Sequence, residues 1–471
     1  MDRTRQESPL KISGFAIDYG TTNSVIAAYS NESDEIVFAK ARTPQSEMSD
    51  SYLLPSFFYF DRTEQKKPGW TALELFSNQA TANHQCNFCD RTDFFDDGIF
   101  ANRLSCKWQR RSEGCFDARL VSSVKLELAN RKPLVTHSWG LDFSVEDFVS
   151  GTFQGLIENM RYSLEKRGID SSGVKRVILG HPVVFPGEEG VEDDSLSLKA
   201  KEILRRSAEK FGLDEVFFID EAQAASHALS LPQGRSLIVD FGAGTLDVAG
   251  VERRGNSTQV LATHGAILGG NDIDYAIFDR LLAERMGLGS THLDTLPKGI
   301  GVRTATMLKT LRGYVRALHD RDVQGEVRMQ KDVPGNESLY EAHALLSSGS
   351  GVDVYRSIQK AKAVLQQDVR TEIRYQLPGL VETRIPFQVS TLNEIVNEVM
   401  STAWKPIQAT LEDCSWSETD VQFLLMTGGS SQLQQFRHNL YSSFPSAEVL
   451  QSDPFLTVAQ GLAEFGRGVM K

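Results

Sequence analysis

The residues best suited to chemistry lie in two short stretches written in the same grammar. Residues 237–250 read LIVDFGAGTLDVAG: an apolar strand ending in Asp240, the small-residue turn Gly242-Ala243-Gly244-Thr245, then a second apolar run that carries Asp247. Residues 15–25 read FAIDYGTTNSV, with Asp18 followed by Gly20-Thr21-Thr22-Asn23. Asp18 matches Asp240 and Gly20 matches Gly242 at the same offset, 240 − 18 = 222 residues. A hairpin turn this free of bulk can lay several backbone N–H groups against a phosphate. A carboxylate at its mouth can hold magnesium through water or orient an attacking water. Two copies predict two similar units that face each other across a phosphate.

The flanking pattern supplies elements to carry these turns. Residues 12–29 read as a hairpin and 53–60 as a strand entered at Pro55. Ser144 caps a helix running to about residue 167. A strand over 174–184 ends at His181-Pro182, and an amphipathic helix covers 195–211. A short strand at 216–219 delivers Asp220-Glu221, followed by an alanine-rich helix whose small residues allow a close neighbour. Beyond the central hairpin come a strand at 260–267, the turn Leu268-Gly269-Gly270-Asn271-Asp272 and a helix at 273–286. A helix over 354–368, two strands within 372–388 and a helix over 391–412 capped by Thr391 follow. A strand at 423–426 runs into Thr427-Gly428-Gly429-Ser430, and small residues fill the last helix, 454–466. Residues 64–141 and 287–351 are weakly patterned, and 346–351 read as a flexible loop. Strands alternating with helices define an α/β chain.

Composition narrows the classes. A chain of 471 residues with 41% hydrophobic and 24% charged content is ordinary for two or three globular domains. A net charge of −12 disfavours a nucleic-acid footprint. No apolar run is long enough for a membrane span, and the polar start MDRTRQESPLK has no signal-peptide core, which points to the cytosol. Four of the five cysteines, Cys86, Cys89, Cys106 and Cys115, share one window. They admit a structural zinc site, free thiols or a reversible disulfide. His181, His227, Trp108, Trp404 and Trp416 read as packing residues, and the acidic run 188–194 as a solvated loop.

Three segments in order, IDYGTTNS (17–24), VDFGAGTLDV (239–248) and LMTGGSSQL (425–433), resemble the actin-like ATPase superfamily. Within it they look most like the nucleotide-binding domain of DnaK-type 70-kDa heat-shock chaperones, and the Gly-Gly-Asn-Asp segment is similar to the short YegD-type branch. The resemblance covers about 12–471 and thins over 62–120 and 290–350. It implies a two-lobed actin-like fold with ribonuclease H-like duplicated lobes and ATP or ADP with Mg²⁺ in the cleft. Lobe I would span 12–230 with a peripheral subdomain at about 62–140 and the final helix, 453–471, packed back on it. Lobe II would span 231–452 with a peripheral subdomain at about 271–388. The chain would end where the family's nucleotide domain ends, without the peptide-binding domain.

Carried over by position, Gly20, Thr21, Thr22 and Asn23 would wrap the phosphates from one side and Gly242, Ala243, Gly244 and Thr245 from the other. Asp18 and Asp240 would hold magnesium through waters. Lys125 would neutralise the transferring phosphate, Glu221 would help place metal waters, and Asp240 or Asp247 would orient the attacking water. Gly269, Gly270, Lys362, Gly428, Gly429 and Ser430 would bracket ribose and adenine. Where the family's adenine helix carries Glu, Lys-Arg and Ser, this chain has Gln359, Lys362-Ala363 and Gln366, which removes an arginine that could stack on the base. Ala243 replaces a glycine. The expected output is slow hydrolysis with lobe closure signalling to a protein partner or co-chaperone. A non-hydrolysing nucleotide scaffold, a metabolite kinase and a filament former stay open on the same residues.

Overall fold

Continuous apolar runs such as Leu237-Ile238-Val239 are what a strand covered on both faces requires, and the computed structural model builds its sheets from them. It describes residues 10–43, 51–61, 65–81, 118–130, 136–138, 141–186, 194–229, 231–255, 257–289, 300–347 and 349–468. The four clustered cysteines lie outside the described residues.

The strands in chain order are β1 (Gly14–Asp18), β2 (Asn23–Tyr29), β3 (Ile36–Phe38), β4 (Leu54–Pro55), β5 (Phe57–Asp61), β6 (Lys66–Pro68) and β7 (Ala118–Ser122). They continue with β8 (Thr136–Ser138), β9 (Leu141–Phe143), β10 (Arg176–His181), β11 (Glu215–Asp220), β12 (Gly234–Phe241), β13 (Leu246–Arg254) and β14 (Ser257–Ala266). The last are β15 (Arg370–Tyr375), β16 (Thr383–Gln388), β17 (Phe423–Thr427) and β18 (Glu448–Leu450). Two large sheets share one plan. The first runs β3-β2-β1-β10-β11, with β4 beside β2, and the second runs β14-β13-β12-β17-β18. In each, the first three strands are antiparallel, and the central strand takes its other neighbours parallel. The repeat seen in sequence at the two Asp–Gly turns is thus a repeat of whole sheets.

Alternation along the central strands divides the core. Phe15 and Ile17 enter one apolar cluster and Ala16 another. Likewise Leu237, Val239 and Phe241 face one cluster while Ile238 faces another. The helix Glu221–Ala228 lies between the sheets. Its Ala222 and Ala225 pack with Ile238, Ala249 and Val251, while Ala224 packs with Val458, Leu462 and Ala463 of the helix Thr457–Gly468. That last helix rests on β1 and β2 through Ala16, Ala27 and Tyr29. The two helices meet so closely that a Cβ at Gly461 would run into the Ala224 carbonyl.

The weakly patterned stretch 287–351 is more ordered than its sequence implies. From residue 302 it forms the helices Val302–Leu308, Leu311–Ala317, Arg321–Gln330 and Leu339–Leu346, each too short to print a clear period. The expected flexible loop at its end contains a buried 3-10 turn, Gly349–Gly351, where Gly351 lies against the Tyr314 ring at a distance no side chain could share. The helix Leu311–Ala317 packs on β7 of the small sheet β6-β5-β7, and the 3-10 turn packs on the helix Gly69–Thr81. β5 carries the join: Phe57 and Tyr59 belong to the cluster of the second sheet, Phe58 and Phe60 to that of the first. The long helix also differs from expectation. It spans Val389–Cys414 with Gln388 at its N-cap, so Thr391 is inside the first turn rather than capping it. Ser144 does cap its helix, in a reciprocal box with Asp147. No helix among the described residues is long and apolar enough to cross a membrane.

The contact at Gly461 should be sensitive to a single methyl. Gly461→Ala is expected to lower the unfolding free energy by about 1–3 kcal/mol, because backbone rather than a movable side chain blocks the new atom. Urea denaturation measures this, and an unchanged midpoint would mean the two helices can part at no cost.

Candidate functional site

Both Asp–Gly turns open on one cavity of about 580 Å³. Asp18 ends β1, and Gly20 to Asn23 follow it into the wall. Gly20 must be glycine, since a Cβ there would strike the Asn23 carbonyl. Ser56 fixes this turn by donating its hydroxyl to the Gly20 carbonyl at 2.8 Å. Across the cavity, Asp240 pairs in register with Asp247 on β13 and with Thr427 on β17. The parallel pairing sets Gly428 beside Asp240, where a Cβ would lie 2.5 Å from Oδ1.

The second turn is held from behind. The Gly242 carbonyl accepts from Gly270 N–H at 3.0 Å and from Ser430 Oγ at 2.7 Å, and the Ala243 carbonyl accepts from Asn271 N–H at 2.9 Å. Within this turn the Gly242 N–H donates to the Thr245 carbonyl at 3.0 Å. The amides of Thr21, Thr22, Ala243 and Gly244 have no protein acceptor among the described residues. The turns also approach each other, for a Cβ on Gly244 would stand 2.7 Å from Thr21 Oγ1.

Lys125 reaches the cavity from the 3-10 turn Val124–Glu127 after β7, where Ser123 takes a left-handed φ of 55° to reverse the chain. Its Nζ lies 2.5 Å from Glu221 Oε1, both side chains about 5% exposed or less. Glu221 opens its helix at the end of β11. Burial opposes the Lys125 charge, but the carboxylates of Glu221, Asp18 and Asp247 overcome it and raise its pKa. The acids bear the cost. Burial first, then the Glu221 charge, pushes Asp18 up to about 7 and Asp247 up to about 8, and the same causes lift Asp240 well above the usual carboxylate range. Asp247 Oδ1 accepts from Val183 N–H at 2.7 Å, while its Oδ2 and Asp240 Oδ1 are buried without a partner. His181 sits nearby, held by burial down to about 4 and therefore neutral. Its Nδ1 lies 2.8 Å from the Pro182 carbonyl and 3.2 Å from Asp220 Oδ1.

Four carboxyl groups around one ammonium cannot all ionise without an added cation, and two of their oxygens lack any partner. That donor set fits a hard divalent cation. Among the described residues no group of three or more His, Cys, Asp or Glu side chains converges enough to ligate a metal directly. The fit is therefore to an ion that keeps its waters.

The far end of the cavity is different in kind. Lys362 pairs with Asp274 at 2.5 Å and donates to the Gly270 carbonyl at 3.1 Å. Gln359, Ala363 and Gln366 of the same helical region line the wall, with Gly429, Ser430, Leu433 and Phe455 opposite. Of the residues expected at the site, Asp247, Gly244 and Gly269 stand behind the wall rather than in it. Gly269 backs the second turn, with no room for a Cβ against Ala243. Sequence reasoning missed Asn271, Asp274, Gln432, Leu433 and Phe455, which also line the cavity. The signal at Phe455 was readable: an aromatic directly after Asp453-Pro454, just ahead of the buried face of the last helix.

No family model matches the chain. Curated proteins do. A chaperone protein HscA homolog of Chromobacterium violaceum is 24% identical over 267 residues, 56% of this chain and 34% of its own length. Chaperone protein DnaK of Nitrosopumilus maritimus is 25% identical over 264 residues, 54% of this chain and 33% of its own. Heat shock 70 kDa protein BIP3 of Oryza sativa subsp. japonica is 22% identical over 459 residues, 95% of this chain and 55% of its own. The chain resembles the 70-kDa heat-shock chaperones. It spans from about a third to just over half the length of these relatives.

The raised acids give the site a pH signature. A carboxyl group protonated in the folded chain but ionised in the unfolded one stabilises the fold at low pH. That stability is lost as pH rises through the folded pKa, about 7 for Asp18 and about 8 for Asp247. In EDTA, the unfolding free energy should therefore fall between about pH 5 and about pH 9, and Asp18→Asn should flatten part of the fall. A variant profile parallel to that of the parent would mean Asp18 ionises normally.

Proposed function

We propose that the chain is a Mg-ATP-dependent ATPase of the heat-shock type, built as two lobes of about 12–230 and 231–452, that works in the cytosol and is akin to the YegD-type branch. One observation carries the reading. Two Asp–Gly turns, 222 residues apart, and the buried Lys125–Glu221 pair converge on a single cavity large enough for a nucleotide.

Phosphoryl transfer asks mainly for positioning and charge neutralisation. Amides of Thr21 and Thr22 on one side and of Ala243 on the other hold the phosphate oxygens, while the Gly20 and Gly242 amides brace their own turns. Lys125, kept charged by Glu221, takes the charge that develops on the transferring group. Asp240, which lines the cavity, orients the attacking water, with Asp247 behind it across the hairpin, and the raised pKa of Asp240 suits a group that accepts a proton. Asp18 and Asp240, with Glu221 behind them, would hold magnesium through water, and the ion would add further neutralisation. Gly270, Lys362, Gly428, Gly429 and Ser430 bracket the ribose, with Gly269 backing the turn behind them. Lobe closure over the nucleotide is the output read by a protein partner.

The base end lacks the expected arginine, and Phe455 takes its place as the platform. Phe455 is 43% exposed, a Cβ on Gly429 would stand 2.9 Å from its ring, and it lines the same cavity as Ala363 and Gln366. Its mount is stiff. Asp453 Oδ1 accepts from Phe455 N–H at 2.8 Å, and the Pro454 carbonyl accepts from Gly428 N–H at 2.9 Å.

Single-turnover hydrolysis of labelled ATP tests the chemistry. Asp240→Asn and Lys125→Ala should each slow the step about a hundredfold or more while ATP still binds. No turnover in the parent chain despite tight binding would replace the enzyme with a nucleotide-binding scaffold. For the base, Phe455→Ala should weaken ATP binding roughly tenfold and leave tripolyphosphate binding unchanged, with Phe455→Trp restoring ATP. Calorimetric titration separates these, and equal losses for both ligands would remove Phe455 from base recognition.

A further inference from the structure

A groove of about 920 Å³ lies on the other side of the helix that walls the nucleotide cavity. It runs between the helix Val352–Val364 and the outward face of β15 and β16. Helix positions 353, 356, 357, 360 and 364 face the groove, whereas 359, 362, 363 and 366 face the cavity. At 3.6 residues per turn these are opposing sides of one helix. The groove's floor is apolar, with Ala361 and Phe387 buried beneath it.

Its rim is basic. Arg356 and Lys360 project from the helix, one turn apart, and Arg370 and Arg374 from the strand. Arg374 is paired with Glu372 at 2.8 Å, and Arg356 lies 3.8 Å from Asp353. Lys360 and Arg370 are exposed and have no carboxylate within ion-pair distance among the described residues. In a chain of net charge −12, whose surface as a whole repels anions, four cations along one groove are a local reversal.

We propose that this groove docks an extended acidic segment of a partner protein. The dimensions favour a peptide in strand form. A 6-residue strand and a 13-residue helix each span about 20 Å. Alternate side chains of an extended peptide recur about every 6.6 Å, close to the rise of one helical turn between Arg356 and Lys360. Glutamates on one face of the peptide meet the rim cations, with arginine able to take a carboxylate in two parallel hydrogen bonds. Apolar side chains of the other face meet Ala361 and Phe387. Occupancy pulls on the helix that carries Gln359 and Lys362, so docking is linked to nucleotide binding and each alters the affinity of the other. The docking stands apart from the ATPase reading, and only the linkage rests on it.

Fluorescence anisotropy with the full chain tests both. Fluorescein-labelled hexaglutamate should bind at low salt and weaken as salt is raised. Lys360→Glu combined with Arg370→Glu should cost roughly tenfold or more in affinity. Thermal unfolding and ATP binding of that variant should match the parent, which separates lost docking from lost folding. Binding that survives the charge reversal, equal binding of hexalysine, or tighter binding of an oligothymidine than of the peptide would each overturn the acidic-peptide site. Saturating ATP should shift the hexaglutamate affinity. If the peptide docks with no such shift while ATP binds normally, the groove stands and the linkage falls. If ATP does not bind at all, the nucleotide reading fails and the groove is judged on hexaglutamate alone.

Discussion

Everything at the site depends on one buried ion pair and the acids around it. Lys125 and Glu221 are sealed together at 2.5 Å, and Asp18, Asp240 and Asp247 share the same low-dielectric space. Such a set is costly to assemble, since each charge gives up its hydration and only one is paired. Each group also comes from a different part of the fold. Asp18 closes β1, Lys125 follows β7, Glu221 follows β11, and Asp240 and Asp247 oppose each other on the β12–β13 hairpin. No local segment could hold this charge by itself. The apolar packing of both large sheets must offset it, and a divalent cation with an anionic ligand is the natural complement.

The helix Glu221–Ala228 joins charge to packing. Its first residue is the carboxylate beside Lys125, and its alanines lie in the core clusters of both sheets. Its contact with Gly461 admits no extra atom, so the helix Thr457–Gly468 must shift when it shifts. The carboxylate beside Lys125 is thereby built into a close-packed joint between the two sheets.

Much of this was legible in the sequence, and the gaps have physical reasons. The two Asp–Gly turns could be read because their chemistry is local: a strand, an acid and small residues in a fixed order. The repeat of the sheets was visible only at those turns, since strand order is set by long-range pairing that leaves no mark on neighbouring residues. Lys125 and Glu221 are 96 positions apart, and their pairing follows from tertiary structure alone. Residues 302–351 were misjudged because helices of 7–10 residues span only two or three turns, too few for a period to stand out. Gly349 and Gly351 looked like loop signals, yet both are buried, and Gly351 packs against Tyr314. Phe455 was passed over because one aromatic at a helix entrance is far more often packing than recognition.

Those misjudged helices bear directly on the cavity. Glu127, two residues beyond Lys125 with a side chain only 3% exposed, is gripped by Arg312 and Arg316 from the helix Leu311–Ala317. Burial, and then the neighbouring Arg316 charge, brings Arg312 down to about 10. Beside this pair of bridges, Tyr314 and Val315 enter the same apolar cluster as Tyr59 and Leu120 of the small sheet. The turn that delivers Lys125 is therefore braced from the chain's second half, not only from its own. Withdrawing those helices would strand a buried carboxylate and expose aromatic surface together, both of them steep costs. The position of the lysine and the attachment of residues 302–351 are accordingly one constraint.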